Sequence, residues 1–302
     1  MRPVVYPADF LNRETPPPLE QFAHRFLAEG DSWFTIGTLN FFDASNLLFE
    51  LEFEQTSAVV SCAYPGDTLQ HMVDFWRDAH FRRLLSVPNF ALDWDGLLLS
   101  AGGNDMIDAV QVPPVDKDGN AIPADRRILL TPDEAAQQDA AGPAARYVSE
   151  AGWNRFTRYL NANFKLIVEE RDRGRNAGRP IFLHTYAVPT VRPSGALPTS
   201  TGWLFPAFVA AGIPPADRQA VSDLMFARLR KLLLDLDSNS GAPTSLPQVH
   251  VFDSAGLASI VAAEQGAPDA SNDWANEIHL TWEGYRKVGR EFGPFIESKL
   301  PS

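Results

Sequence analysis

Five short apolar runs, each followed by turn-forming residues, with longer stretches of helical spacing among and after them, constrain this chain most. They are RFLAEG (25–30), SAVVSCAY (57–64), DGLLLSAGG (95–103), PIFLHTYA (180–187) and QVHVFDSAG (248–256). Helix-like patterning occupies 68–86, 144–174, 215–239 and 281–300. Strands alternating with helices predict parallel βαβ units and a sheet covered on both faces. The near-continuous apolarity of the runs agrees with burial from both sides.

Two segments break the alternation. Residues 106–143 and 188–214 are rich in Pro, Gly, Ala and Asp, and each follows a strand end. In an open parallel sheet ligands bind beyond the carboxyl ends of the strands, so insertions there are expected to wall a substrate cleft. The competing expectation is a pair of solvated loops. At 302 residues, the chain is expected to form a single domain over 1–302 carrying these two insertions.

The balance of 26 basic against 38 acidic residues gives a net charge of -12. That sign disfavours phosphate backbones and anionic membranes, so neither nucleic acid nor a membrane is an expected partner. Cys62 is the one cysteine, which excludes an intramolecular disulfide and a cysteine metal cluster. The N-terminal residues have no apolar run of signal-peptide length, and with Met1 read as the start the expectation is a cytoplasmic protein. The aspartates 93, 95, 105 and 108 lack His or Glu at ligand spacing, so no metal or other cofactor is expected.

Chemistry-bearing residues gather after the strands. Gly30-Asp31-Ser32-Trp33 follows the first run, where a tight turn would leave the Ser32 hydroxyl at the sheet's edge. Pro65-Gly66-Asp67-Thr68 follows the second, with the Gly66 N–H a candidate anion donor and Asp67 or Thr68 a candidate helix cap. Ala101-Gly102-Gly103-Asn104-Asp105 ends the third, where paired glycines admit a ligand and the Asn104 amide can donate to it. His279 stands just before the last helix, preceded by Asp273-Trp274-Ala275-Asn276-Glu277-Ile278. Each block alone reads equally as a turn or a cap. His184 reads as a cleft residue or a packed histidine, and Val73, Trp76, Phe81 and Leu84 read as core.

In this order the four blocks resemble the SGNH hydrolases, the GDSL esterase/lipase family, with Ser32, Gly66, Asn104 and His279 as the matching residues over about 25–299. The resemblance implies a three-layer αβα sandwich around a central parallel sheet of flavodoxin type. It implies Ser32 as nucleophile and His279 as general base. The oxyanion would be held by the N–H groups of Ser32 and Gly66 and by the Asn104 side chain. The substrate would be a small-molecule ester or lipid; the oligomeric state is left open. One position departs: where the family carries Asp, three residues before the histidine, this chain has Asn276. Three arrangements are open. Asn276 orients His279, Asp273 or Asp253 supplies a carboxylate, or a backbone carbonyl does so. The missing charge also leaves open a binding protein of weak or no turnover on the same scaffold.

Overall fold

The computed structural model describes residues 1–35, 45–74, 79–139, 142–197 and 199–301. Its centre is a sheet of six parallel strands: β1 (Val4–Pro7), β2 (His24–Gly30), β3 (Ser57–Ser61), β4 (Gly96–Ser100), β5 (Ile181–His184) and β6 (Val249–Phe252). Their order is β1-β3-β2-β4-β5-β6. Without β1 this is the flavodoxin-like arrangement, in which the order reverses beside the first βαβ strand. Every residue of β4 and β5 is buried, which is why their sequences run apolar without alternating.

The five expected strands are present, and β1 is an addition. It is four residues long, ends on a proline and pairs only with β3, so it carries neither the length nor the burial that marks the others.

The helices are α1 (Leu47–Glu50), α2 (Leu69–Met72), α3 (Ala79–Leu85), α4 (Gly103–Gln111), α5 (Pro132–Ala135), α6 (Glu150–Arg171), α7 (Leu204–Ala210), α8 (Pro215–Asp235) and α9 (Trp282–Glu297). α9 covers one face of the sheet, with Phe292 stacked on Phe252 at 5.1 Å and edge-on to His184 at 6.0 Å. α1 packs beside α9, while α6 packs against α2, α3 and α4. The result is the three-layer αβα sandwich.

Helix starts follow side-chain caps. Ser149 accepts from the Gly152 N–H before α6, and Thr281 from the Gly284 N–H before α9. The Ser149 cap explains why the helix expected from 144 begins at 150; residues 145–147 form a separate 3-10 turn. The expected helix over 68–86 appears as α2 and α3. Of its apolar stripe, Phe81 and Leu84 are buried and Val73 is half-buried, whereas Trp76 lies outside the described residues.

The two irregular segments differ. α4 opens directly on the Gly-rich block, and its Ile107 reaches the cleft above the sheet. The 3-10 turn at 124–126 lies instead against α6, where Gly152 meets the Arg127 carbonyl. The second segment includes α7, and its Pro189 lines the cleft.

Candidate active site

β2 ends at Gly30 because the chain there must pass β4 closely: a Cβ on Gly30 would stand 2.8 Å from the Ser100 Cβ. The Asp31 N–H donates to the Ser100 carbonyl, adding one more rung to the ladder. The chain then enters a single 3-10 turn, Ser32–Phe34, capped by the Asp31 carboxylate accepting the Trp33 N–H at 2.9 Å. This turn lifts Ser32 to the carboxyl edge of the sheet.

His279 arrives from the opposite side, on the loop before α9, and its Nε2 lies 2.8 Å from the Ser32 Oγ. Its Nδ1 lies 2.9 Å from the Asn276 Oδ1. The same Oδ1 accepts the N–H groups of Ile278 at 3.1 Å and His279 at 2.9 Å. Two backbone donors converging there fix which end of the amide is oxygen, and so place the ring proton on Nδ1. Nε2 is therefore the acceptor, and the Ser32 hydroxyl donates to it. Burial holds His279 down to about 3, a neutral imidazole through the physiological range.

The other two carboxylates expected as alternatives are engaged elsewhere. Asp273 is paired with the Lys287 ammonium at 2.7 and 2.8 Å and accepts the Val261 N–H. Asp253 takes the Arg230 guanidinium and the Thr185 hydroxyl.

Of the expected oxyanion donors, Ser32 and Asn104 line one cleft with Asp31, Trp33, Gly103, Ile107, Tyr186, Pro189, Phe226 and Ile278. The Asn104 Nδ2 donates to the Asp67 carbonyl at 2.9 Å, which ties α4 to the turn after β3. Gly66 sits on that turn, exposed, and does not line the cleft. It occupies the third position of Tyr64-Pro65-Gly66-Asp67, where φ is 81° and the Asp67 N–H returns to the Tyr64 carbonyl. Pro at the second position and Gly at the third make this a type II turn. The free volume over Ser32 is about 20 Å³, about the room one water needs.

Several site residues escape notice in the sequence. Trp33 donates its indole N–H to the Ile278 carbonyl at 3.2 Å, joining the turn of Ser32 to the loop of His279. Glu277 is fully buried and its carboxylate accepts four N–H groups, from Arg192, Trp203, Leu204 and Phe205. Desolvation pushes it up to about 7 against those donors. It pins the second insertion to the histidine's loop, and the Trp203 ring stands edge-on to His279 at 5.3 Å. Arg192 completes the clamp, donating to the Asn276 carbonyl at 2.7 Å. The signal available was Glu277 itself, an acidic residue inside the histidine block.

His184 is a packed histidine, fully buried and stacked on Trp33 at 5.3 Å. Among the described residues no group of three or more His, Cys, Asp and Glu is arranged to hold a metal ion. No described helix is long and apolar enough to cross a membrane.

No family model and no curated protein matches the chain. Solved structures do. The extracellular lipase of Streptomyces rimosus matches over 92% of this chain and 100% of its own, at 15% identity and a TM-score of 0.46. A putative arylesterase of Agrobacterium tumefaciens matches over the same shares at 14% identity and a TM-score of 0.46. Est24, a carbohydrate acetylesterase of Sinorhizobium meliloti, matches over 91% of this chain and 99% of its own, at 11% identity and a TM-score of 0.40. These likenesses are distant. The hydrogen bonds around Ser32 support a function on their own terms.

Proposed function

We propose that this protein is a serine hydrolase of carboxylic esters, of the SGNH type, working through an acyl-serine intermediate. The observation that carries the proposal is the Ser32 hydroxyl donating to a neutral His279 whose other nitrogen is held by Asn276. That is the nucleophile–base–orienter arrangement acyl transfer needs.

As the Ser32 Oγ bonds to the ester carbonyl carbon, its proton passes to the His279 Nε2. The carbonyl π pair moves onto oxygen, giving a tetrahedral oxyanion. The Ser32 N–H and the Asn104 amide are the donors for that charge, with Gly66 on the neighbouring turn. Collapse breaks the C–O bond to the alcohol, which leaves with the proton from His279. Water then repeats the cycle in reverse roles and releases the acid and Ser32.

Asn276 fixes the tautomer without supplying a charge for the imidazolium. With a base held down to about 3, turnover is slow but tolerant of acid. The narrow, mostly apolar cleft favours a short acyl group. Hydrolysis of a p-nitrophenyl ester series from acetate to octanoate tests this. Activity highest at the short end and lost in Ser32→Ala is the expected result. Full activity in Ser32→Ala overturns the nucleophile. The second reading, a binding protein on the same scaffold, rests on the uncharged Asn276, and a folded wild type that no phosphonate or ester acylates would favour it.

A further inference from the structure

Beneath Ser32 lies a polar cluster with no part in the proton transfer just described. The Asp31 Oδ1 meets the Ser100 Oγ at 2.7 Å, and its Oδ2 meets the Tyr186 hydroxyl at 2.5 Å. The Ser100 Oγ also lies 3.0 Å from the His184 Nε2 and 3.3 Å from the Tyr186 hydroxyl. The His184 Nδ1 lies 2.7 Å from the Thr185 carbonyl. All four side chains are buried.

The hydrogens can be counted. A backbone carbonyl only accepts, so the His184 Nδ1 carries a proton, and in a neutral ring Nε2 is then an acceptor. Tyr186 spends its one proton on the Asp31 Oδ2. Ser100 has one proton left for two acceptors, the His184 Nε2 and an ionised Asp31. One of these contacts would then bring lone pairs together among buried side chains, where a missing hydrogen bond costs most. One added proton removes the conflict. On the Asp31 Oδ1 it lets the acid donate to Ser100 and Ser100 to His184. On the His184 Nε2 it reverses that chain. Both leave the cluster without net charge.

We infer that Asp31, Ser100, His184 and Tyr186 form a buried network that retains this proton at neutral pH and keeps the floor under Ser32 uncharged. Among the described residues no hydrogen bond to Asp31 comes from a lysine or arginine, so none of them gives an ionised carboxylate there a counter-charge in contact. The other ionisable groups acting on or near it are acidic: Asp105 from α4, Tyr285 from α9, and Glu29 two residues earlier on β2. Of these, Asp105 acts on Asp31 as a negative charge and favours keeping the proton. Burial first, opposed by the three donors, raises Asp31 to about 6, and burial lowers His184 to about 4. Those directions favour the proton on Asp31, and the hydrogen count carries it to neutral pH: once Ser100 gives its proton to His184, one of the three donors that hold Asp31 down is gone.

The role deepens the reading of Ser32 as nucleophile, on which it rests. Asp31 is one residue from Ser32 and caps its turn, so a full negative charge there would oppose the oxyanion forming at the Ser32 N–H. Asp31 is thus a positioning residue. It holds the turn without an uncompensated charge, as an acid or as a carboxylate beside the His184 imidazolium. The Gly-rich block supports it, since a Cβ on Gly103 would stand 2.8 Å from the Tyr186 ring.

The test needs no turnover, so it separates this inference from the reading of Ser32. Infrared difference spectra of wild type against Asp31→Asn at neutral pH should show a buried carboxylic-acid C=O band that the variant lacks. Alternatively, 15N spectra should show His184 with both nitrogens protonated, assigned by its loss in His184→Gln. Either result supports the shared proton. A carboxylate at Asp31 together with a neutral His184 overturns it. In the rate assay Asp31→Asn, which keeps a donor toward Ser100 and gives up the acceptor of the Trp33 N–H, should stay within about tenfold of wild type, the scale of one neutral hydrogen bond. Asp31→Leu should fall further. A loss in Asp31→Asn as large as in Asp31→Leu, with the protein folded, would show that the charge is required and contradict the inference.

Discussion

Ser32 faces His279 at 2.8 Å, and a few residues below it Ser100 faces His184 at 3.0 Å. Both imidazoles are buried, both are held neutral by desolvation, and both give Nδ1–H to an amide-type oxygen, that of Asn276 or of Thr185. By local geometry the pairs are near twins. They differ in what else touches the serine. Ser100 is fully buried and also meets a carboxyl group and a phenol, while Ser32 lines the cleft and, among the described residues, its hydroxyl bonds only to His279. A serine–histidine contact therefore does not by itself make a nucleophile. A place on the cleft and an undivided proton are what set Ser32 apart from Ser100.

The comparison is broken most sharply at the serines. Ser32→Ala should lower ester hydrolysis on the order of 10⁴-fold or more, read with p-nitrophenyl acetate. Ser100→Ala should leave the nucleophile in place; its cost is about 1–3 kcal/mol of stability from partners left unsatisfied, read by urea unfolding. Next comes Asn104→Ala, expected to cost about 10²–10³ in kcat as one oxyanion donor goes. A change in KM alone would show that Asn104 only binds substrate. Smaller is Asn276→Asp, which supplies the missing charge. A carboxylate beside Nδ1 favours the imidazolium, so kcat should rise by roughly tenfold.

The pH dependence sharpens the same contrast. A general base works when unprotonated, and His279 is held down to about 3. Activity should thus persist well below the ordinary histidine range and fall only as pH approaches that value. Asn276→Asp should shift this acid limb upward, while Ser100→Ala should leave it where it is. A wild-type limb near the unperturbed value of about 6.5 would mean that the imidazole is more solvated than its burial indicates.

The two pairs were unequally legible in the sequence. The blocks around Ser32, Asn104, Asn276 and His279 sit at strand ends and a helix start, where residue type signals a turn or a cap, and their order carried the resemblance. Gly66 was read both as a turn and as an oxyanion donor; the turn is there, and its type II geometry leaves Gly66 exposed and off the cleft. Five strands showed themselves because both their faces are buried, and β1 did not because it is short and at the edge. The lower network was invisible: Asp31, Ser100 and His184 come from three different strand ends, and only strand register brings them together. Glu277 and Arg192 were hidden likewise, because a buried charge meeting backbone N–H and carbonyl groups has no sequence period. The second insertion was expected as a cleft wall, and Pro189 and Trp203 stand at the cleft and at His279.

The most direct measurement is labelling with a fluorophosphonate followed by peptide mapping, on wild type, Ser32→Ala and His279→Ala. One adduct on the Ser32 peptide of the wild type, absent from both variants, is the predicted result. A folded wild type that takes up no label, or label retained in Ser32→Ala, would contradict the assignment of Ser32 as an activated nucleophile.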